Sequence, residues 1–252
     1  MKKLGAVLPL ILAMAHMSFA QTSLFNVAFT NSTNFFNSTG WTSAPSGANF
    51  TENFVATGGI YNFTGNESFR SQTFSYGSGV LSNAMTIQRT DGATSNIIAV
   101  DTSNGGFNSF DAPGSSKYLW TTHSNGKSEV KFSFSQGIKA FSLRMGDFAD
   151  ALGTTSLYMT TKDTNGSLVG YSYATLSLSG FEQMGFVFGN VKWTFLGWTF
   201  DAPISEFVIG SDYGDDNWAI DTVSFSTVPE PSALSLLAVG LGGLAMIRRR
   251  RS

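Results

Sequence analysis

The feature that most constrains this chain is a two-residue alternation of large apolar and small polar side chains, repeated in short runs. Val130, Phe132 and Phe134 alternate with Lys131 and Ser133. Phe141, Leu143 and Met145 alternate with Ser142 and Arg144, and Phe25, Val27 and Phe29 with Asn26 and Ala28. Side chains on an extended strand point to opposite faces, so this period predicts half-buried antiparallel strands. Ile204 to Ile209 is apolar at both parities and reads as buried on both sides. Turn signals separate the runs. Asn165-Gly166, between Leu157–Lys162 and Leu168–Tyr173, predicts a type I′ hairpin. Asp111-Ala112-Pro113-Gly114 and Asp201-Ala202-Pro203 are further breaks. No long stretch of the body has a 3.6-residue apolar period, so no helix is expected there. Many short strands with frequent turns define an all-β class, a single antiparallel sandwich or barrel. The segment from Thr30 to Gly65 is rich in Asn, Ser, Thr and Gly and is expected to form long loops.

The two ends follow other rules. Lys2 and Lys3, the apolar run Leu4 to Ala15, and Ser18-Phe19-Ala20 have the layout of a secretory signal peptide, with cleavage between Ala20 and Gln21. At the other end, Val228-Pro229-Glu230-Pro231 precedes Ser232 to Ile247, a stretch without a charge. As a helix it would span about 24 Å, slightly less than a ~30 Å hydrocarbon core. Arg248, Arg249, Arg250 and Arg251 follow; they can snorkel, and they mark the end that stays cytoplasmic. Export at one end with arrest at the other places the body outside. The expected organisation is a signal peptide at 1–20, a β-sandwich ectodomain at 21–227, and a sorting segment with a transmembrane helix at 228–252.

Composition narrows the function classes. The chain has no Cys and two His, one of which, His16, leaves with the signal. Disulfide scaffolds, thiolate metal sites and a Cys nucleophile are excluded, as is a His-Glu-x-x-His site in the processed chain. His123 lies in a polar stretch with no Gly-x-Ser-x-Gly elbow to support a triad. Gly126-Lys127-Ser128 lacks the first glycine of a phosphate loop, since Thr121 stands there. Six of the 15 basic residues lie in the two ends, leaving 9 against 17 acidic ones, a net −8 for residues 21–247. An acidic body disfavours nucleic acid and other anionic polymers as tight partners, and leaves carboxylates for calcium.

The tail resembles the PEP-CTERM sorting signal of Gram-negative bacteria. The features are Pro229-Glu230-Pro231, a short segment through Gly240, Gly242 and Gly243, and the cluster Arg248 to Arg251. The resemblance implies export by the Sec translocon and transient anchoring in the inner membrane. It also implies cleavage near the motif by an exosortase, then release or attachment at the cell surface, with a link to exopolysaccharide and biofilm. The body resembles, more loosely, jelly-roll, galactose-binding-like domains through Phe195 to Phe200, Ile204 to Ile209, and Trp218 to Phe225, whose Ile220-Asp221-x-Val223-x-Phe225 fits a late strand of such folds. In domains of that kind an Asp at this position often holds a structural Ca²⁺.

Asp221 shares strand parity with Ala219, Val223 and Phe225, so its carboxylate is expected on an apolar face and needs a partner. A calcium ion, backbone amides or Arg144 would each serve. Trp218 and Ile220 are apolar at the opposite parity, so the strand is either buried on both faces or bulged near Asp221. Asp212, Asp215, Asp216 and Asn217 crowd the preceding loop. They are candidate Ca²⁺ ligands, although the spacing is not that of an EF-hand and suits an acidic turn. Asp147 and Asp150 read as turn residues. Trp41, Trp120, Trp193, Trp198 and Trp218, with seven Tyr, could supply a sugar-stacking platform. Two functions follow. One is a non-enzymatic surface or matrix protein without an ordered cleft of convergent carboxylates. The alternative is a carbohydrate-binding or glycan-cleaving jelly roll, with a groove lined by Trp or Tyr or an acidic pair about 5 to 9.5 Å apart. The absence of catalytic motifs favours the first.

Overall fold

The computed structural model describes residues 23–25, 30, 34–35, 49–52, 67–76, 82–90, 97–101, 117–121, 127–148, 154–183, 193–212 and 217–227. The strands are β1 (Asn49–Glu52), β2 (Glu67–Phe69), β3 (Ser71–Tyr76), β4 (Asn83–Arg89), β5 (Ile97–Asp101) and β6 (Lys117–Thr121). They continue with β7 (Ser128–Gly146), β8 (Thr155–Asp163), β9 (Leu168–Leu176), β10 (Trp193–Ser211) and β11 (Trp218–Thr227). One short helix, α1 (Leu178–Gln183), follows β9. Among the described residues every strand pairing is antiparallel. The hydrogen-bonded order is β2-β5-β6-β11-β7-β10-β8-β9, with β1 on β11 and the β3–β4 pair on β7.

This network becomes two layers because β7 and β10, 19 residues each, serve both. The first half of β7 pairs with β4 and with Glu206–Ser211 of β10, which in turn pairs with β8. The second half of β7 pairs with Trp193–Thr199 of β10 and with β11. The first layer is therefore β3-β4-β7-β10-β8-β9. The second is β2-β5-β6-β11-β7-β10, with β1 also on β11. Both long strands turn the corner together, where the β7–β10 register shifts between Thr199 and Ile204. Asp201-Ala202-Pro203, expected as a break, lies inside β10 at this corner. Gly137 of β7 faces it, and a Cβ there would come within 2.7 Å of Pro203 Cβ and 2.9 Å of Thr164 Cγ2. Asn83 completes the corner, its Oδ1 accepting from Gln136 N–H and Ser135 Oγ–H, each at 3.0 Å, and its Nδ2 donating to Gln136 O at 3.1 Å.

The two layers close face to face over aromatic rings. Phe141 of the second layer lies 5.0 Å from Phe132 and 4.7 Å from Phe207 of the first, ring centre to ring centre. Trp198 meets Phe207 at 4.6 Å, and Phe225 meets Phe134 at 5.1 Å. Val130, Phe132 and Phe134 are buried between partly exposed Lys131 and Ser133, as their alternation requires. In the second half of β7 the polar face is covered too, since Ser142 is fully buried with Phe141 and Leu143. Two of the buried indoles keep their N–H groups bonded. Trp198 donates to Leu24 O at 2.9 Å, and Trp218 to Ser128 Oγ at 2.5 Å.

Three local outcomes differ from the sequence expectation. The β8–β9 hairpin forms, but Gly166 has φ +82° while Asn165 does not enter the left-handed region, so the turn is not type I′. Gly166 N–H donates to Asp163 O at 3.0 Å, and Asp163 N–H donates to Ser167 O at 2.9 Å. This is a three-residue loop closed by a left-handed glycine. The Asp163 carboxylate selects it by accepting from Asn165 N–H at 2.9 Å and Ser167 N–H at 2.8 Å. The helix α1 was not expected; Ser177 caps it, its Oγ accepting from Gly180 N–H at 3.3 Å, and Phe181 anchors it beside Phe148. Within the expected loop segment 30–65, residues Asn49–Glu52 form β1. The 1–20 signal, Val27, Phe29 and the 228–252 tail lie outside the described residues. Among those described, no helix is long and apolar enough to cross a membrane.

Candidate functional site

Asp221 shows how one extra residue re-aims a strand. Asp221 pairs with Arg144 and Ser224 with Ser142, so three steps along β11 match two along β7. Thr222, the bulge residue, has φ +47°, a strained value for a β-branched side chain. Parity inverts across it. Trp218, Ile220, Val223 and Phe225 all join the central core. Ala219 instead packs with Tyr118, Trp120 and Trp193 on the outer face of the second layer. Asp221 is fully buried on that outer side, not with Val223 and Phe225. Its Oδ1 accepts the Thr222 N–H at 2.7 Å, so a backbone amide serves as partner. Nearby, burial and the adjacent Asp147 carboxylate push the Tyr118 phenol up to about 12.

Asp212 lies across the sandwich. Its Oδ1 accepts from Ser156 Oγ–H at 2.6 Å and from Tyr173 Oη–H at 3.2 Å, on the outer face of the first layer. Packed layers stand about 10 Å apart. Asp212 and Asp221 therefore lie on opposite faces. Among the described residues no three His, Asp or Glu side chains come together as a metal site. Asp215, Asp216, Asp150 and His123 lie outside the described residues, as do Trp41, Ala20, Gln21, Val228 to Pro231 and Arg248 to Arg251.

The outer face of the first layer carries a groove of about 310 Å³ lined by Thr90, Glu129, Lys131, Tyr158, Thr160, Lys162, Glu206 and Val208. Strand register sets these in rows. Glu129, Gly210, Tyr158 and Tyr173 form one row across β7, β10, β8 and β9. Lys131, Val208, Thr160 and Tyr171 form the next. Ser133, Glu206 and Lys162 form the third. Gly210 makes room in the first row, where an added Cβ would come within 2.8 Å of the Tyr158 ring. Across that gap Tyr158 Oη donates to Glu129, which also accepts from Thr90 Oγ1 and lies 3.6 Å from Lys127 Nζ. Burial raises the affinity of Glu129 for a proton, but the Thr90 and Tyr158 hydrogen bonds and the Lys127 ammonium outweigh it, so its carboxyl is held below the usual range. In the third row Glu206 Oε1 meets Lys162 Nζ at 2.7 Å, and its Oε2 lies 3.9 Å from Lys131 Nζ.

The aromatic side chains divide cleanly. Trp120, Trp198 and Trp218 are buried. Among the described residues the exposed aromatic rings are Tyr171 and Tyr173, at 45% and 46%, beside the groove. Neither was distinguishable in the sequence from the five other Tyr. The only signal was alternation after the hairpin turn, in Gly170-Tyr171-Ser172-Tyr173.

The fold and its groove define an all-β sandwich with a polar, charge-paired outer face. The PEP-CTERM protein-sorting motif matches residues 227–251, beginning at the last residue of β11. That motif implies an exported protein held transiently in the membrane and processed by an exosortase. No curated protein matches the chain significantly. Among solved structures, it is similar to the K2 cleaved adhesin domain of Lys-gingipain, with 13% identity, 71% of this chain and 100% of that one covered, and a TM-score of 0.43. It is also similar to the C-terminal family 22 carbohydrate-binding module of Clostridium thermocellum Xyn10B, with 11% identity, 56% and 85% covered, and a TM-score of 0.36. A DUF4465 family protein from Bacteroides caccae gives 10% identity, 71% and 99% covered, and a TM-score of 0.38.

Proposed function

We propose that this is a Gram-negative cell-surface or extracellular-matrix protein that works without catalysis and contributes to exopolysaccharide or biofilm. Residues 1–20 direct export, 21–227 form the cargo, and 228–252 are the address that an exosortase removes near Val228–Pro231. The observation that carries this reading is adjacency. The last described strand runs to Thr227 and the sorting motif starts at the same residue, so strand and address adjoin in the sequence.

The groove chemistry supports a non-catalytic role. Two-carboxylate hydrolysis needs one carboxyl to keep its proton near neutral pH. Glu129 is held ionised by two hydroxyls and an ammonium. Glu206 is flanked by two ammoniums. Their backbone positions are offset by four residues along the strands, about 13 Å at ~3.3 Å per residue.

The test is to follow the fate of the chain in its host. Replacing Pro229 and Pro231 by Ala is expected to leave full-length protein in the membrane, while the unaltered chain is recovered shortened and outside. Replacing Arg248 to Arg251 by Ser is expected to weaken membrane arrest. Unaltered protein retained in the cytoplasm, or tail variants processed like the wild type, would overturn the reading.

A further inference from the structure

We propose that the groove on the outer face of the first layer binds a neutral glycan chain, laid across the strands along the row Lys131–Val208–Thr160–Tyr171. This deepens the reading of a matrix component by naming the ligand class.

The row has the parts such a ligand needs. Val208 and Thr160 form a floor with little charge. The first row, with Glu129 and Tyr158, makes one wall, and the third row, with Glu206 and Lys162, makes the other. The walls alternate acceptors and donors, which suits hydroxyl groups that both give and take hydrogen bonds. At one end Tyr171 offers an exposed ring that the C–H face of a sugar can cover. At the other end stands Lys131. Among the described residues its ammonium makes no hydrogen bond, its nearest acid being Glu206 at 3.9 Å, so its three donors are available to a ligand. Lys131 to Tyr171 spans three strand spacings, roughly 14 Å. That is long enough for a short run of sugar rings, and the groove volume falls at the small end of ligand sites.

Charge selects a neutral chain over an acidic one. The lining holds Glu129 and Glu206 against Lys131 and Lys162, a local balance of zero. With 9 basic against 16 acidic residues in 21–227, a net −7 around it, nothing draws in a polyanion. An extended peptide is disfavoured for another reason. It would need the free backbone edge of a strand, whereas β7, β10 and β8, which carry the groove, are paired on both sides.

The experiment uses the full chain in a non-glycosidic detergent. Calorimetry is run against β-1,4-linked hexamers of glucose, xylose and mannose, and against a polygalacturonate fragment. Saturable binding to at least one neutral hexamer is expected, with none to polygalacturonate. Tyr171→Ala and Lys131→Ala are each expected to weaken binding about tenfold or more with unchanged Tm. Ser75→Ala, on the edge strand β3, is the control and is expected to bind as the wild type. Absence of binding to every neutral hexamer, stronger binding to polygalacturonate, or full affinity in both variants would overturn the proposal. Binding is read on the purified chain, so its failure is distinct from a failure of tail processing in the host.

Discussion

Glu129 ties the groove to acid stability. Its carboxyl is held below the ordinary value of 4.5 in the folded chain. As pH falls below about 4.5 the unfolded chain takes up this proton first, so the stabilisation, full above that pH, drains away through the lower folded value. The expected result is a Tm that falls between neutral pH and pH 3, with a shallower slope in Glu129→Gln. The opposite sign holds for Tyr118. Its phenol is raised from 10 to about 12, so the unfolded chain loses its proton first and stability falls as pH rises through that interval. Tyr118→Phe should flatten the alkaline limb of the Tm profile. The bulge near Asp221 was foreshadowed, because Trp218 and Ile220 conflicted in parity with Val223 and Phe225. The groove was not, because Glu129 and Lys131 sit far in sequence from Lys162 and Glu206. Only the register of three strands sets them side by side.

At the scale of the element, the decisive device is the shared corner of β7 and β10. The alternation of Val130 to Phe134 and of Phe141 to Met145 showed two strands. What the pattern did not reveal is that one continuous chain joins them and carries both layers. Gly137 was silent in that pattern, since its role is to be absent where Pro203 and Thr164 pass. Gly137→Val should overpack this corner and cost about 1–3 kcal/mol, lowering Tm by several degrees in a thermal melt. The hairpin turn teaches a similar lesson. Asn165-Gly166 marked the reversal, but the carboxylate of Asp163, two residues earlier, bonds two loop amides and chooses the loop type. Asp163→Ala should cost about 0.5–1.5 kcal/mol by chemical denaturation, with the groove left intact.

On the scale of the whole molecule, charge and topology point the same way. Six of the 15 basic residues lie in the proposed signal and sorting ends, leaving an acidic body whose groove is locally balanced. β11, flanked by β6 and β1 on one side and β7 on the other, carries the chain directly into the sorting motif. Thr227 pairs with Ile138, so the motif starts where a central strand is still hydrogen-bonded. The tail was legible because membrane arrest is written locally, in an uncharged run and four Arg. The most direct measurement is the intact mass of the protein from its native host, with cell-associated and secreted fractions weighed apart. The expected mass is that of a chain that starts at Gln21 and ends near Pro229–Pro231. A mass extending to Ser252 in every fraction would contradict it.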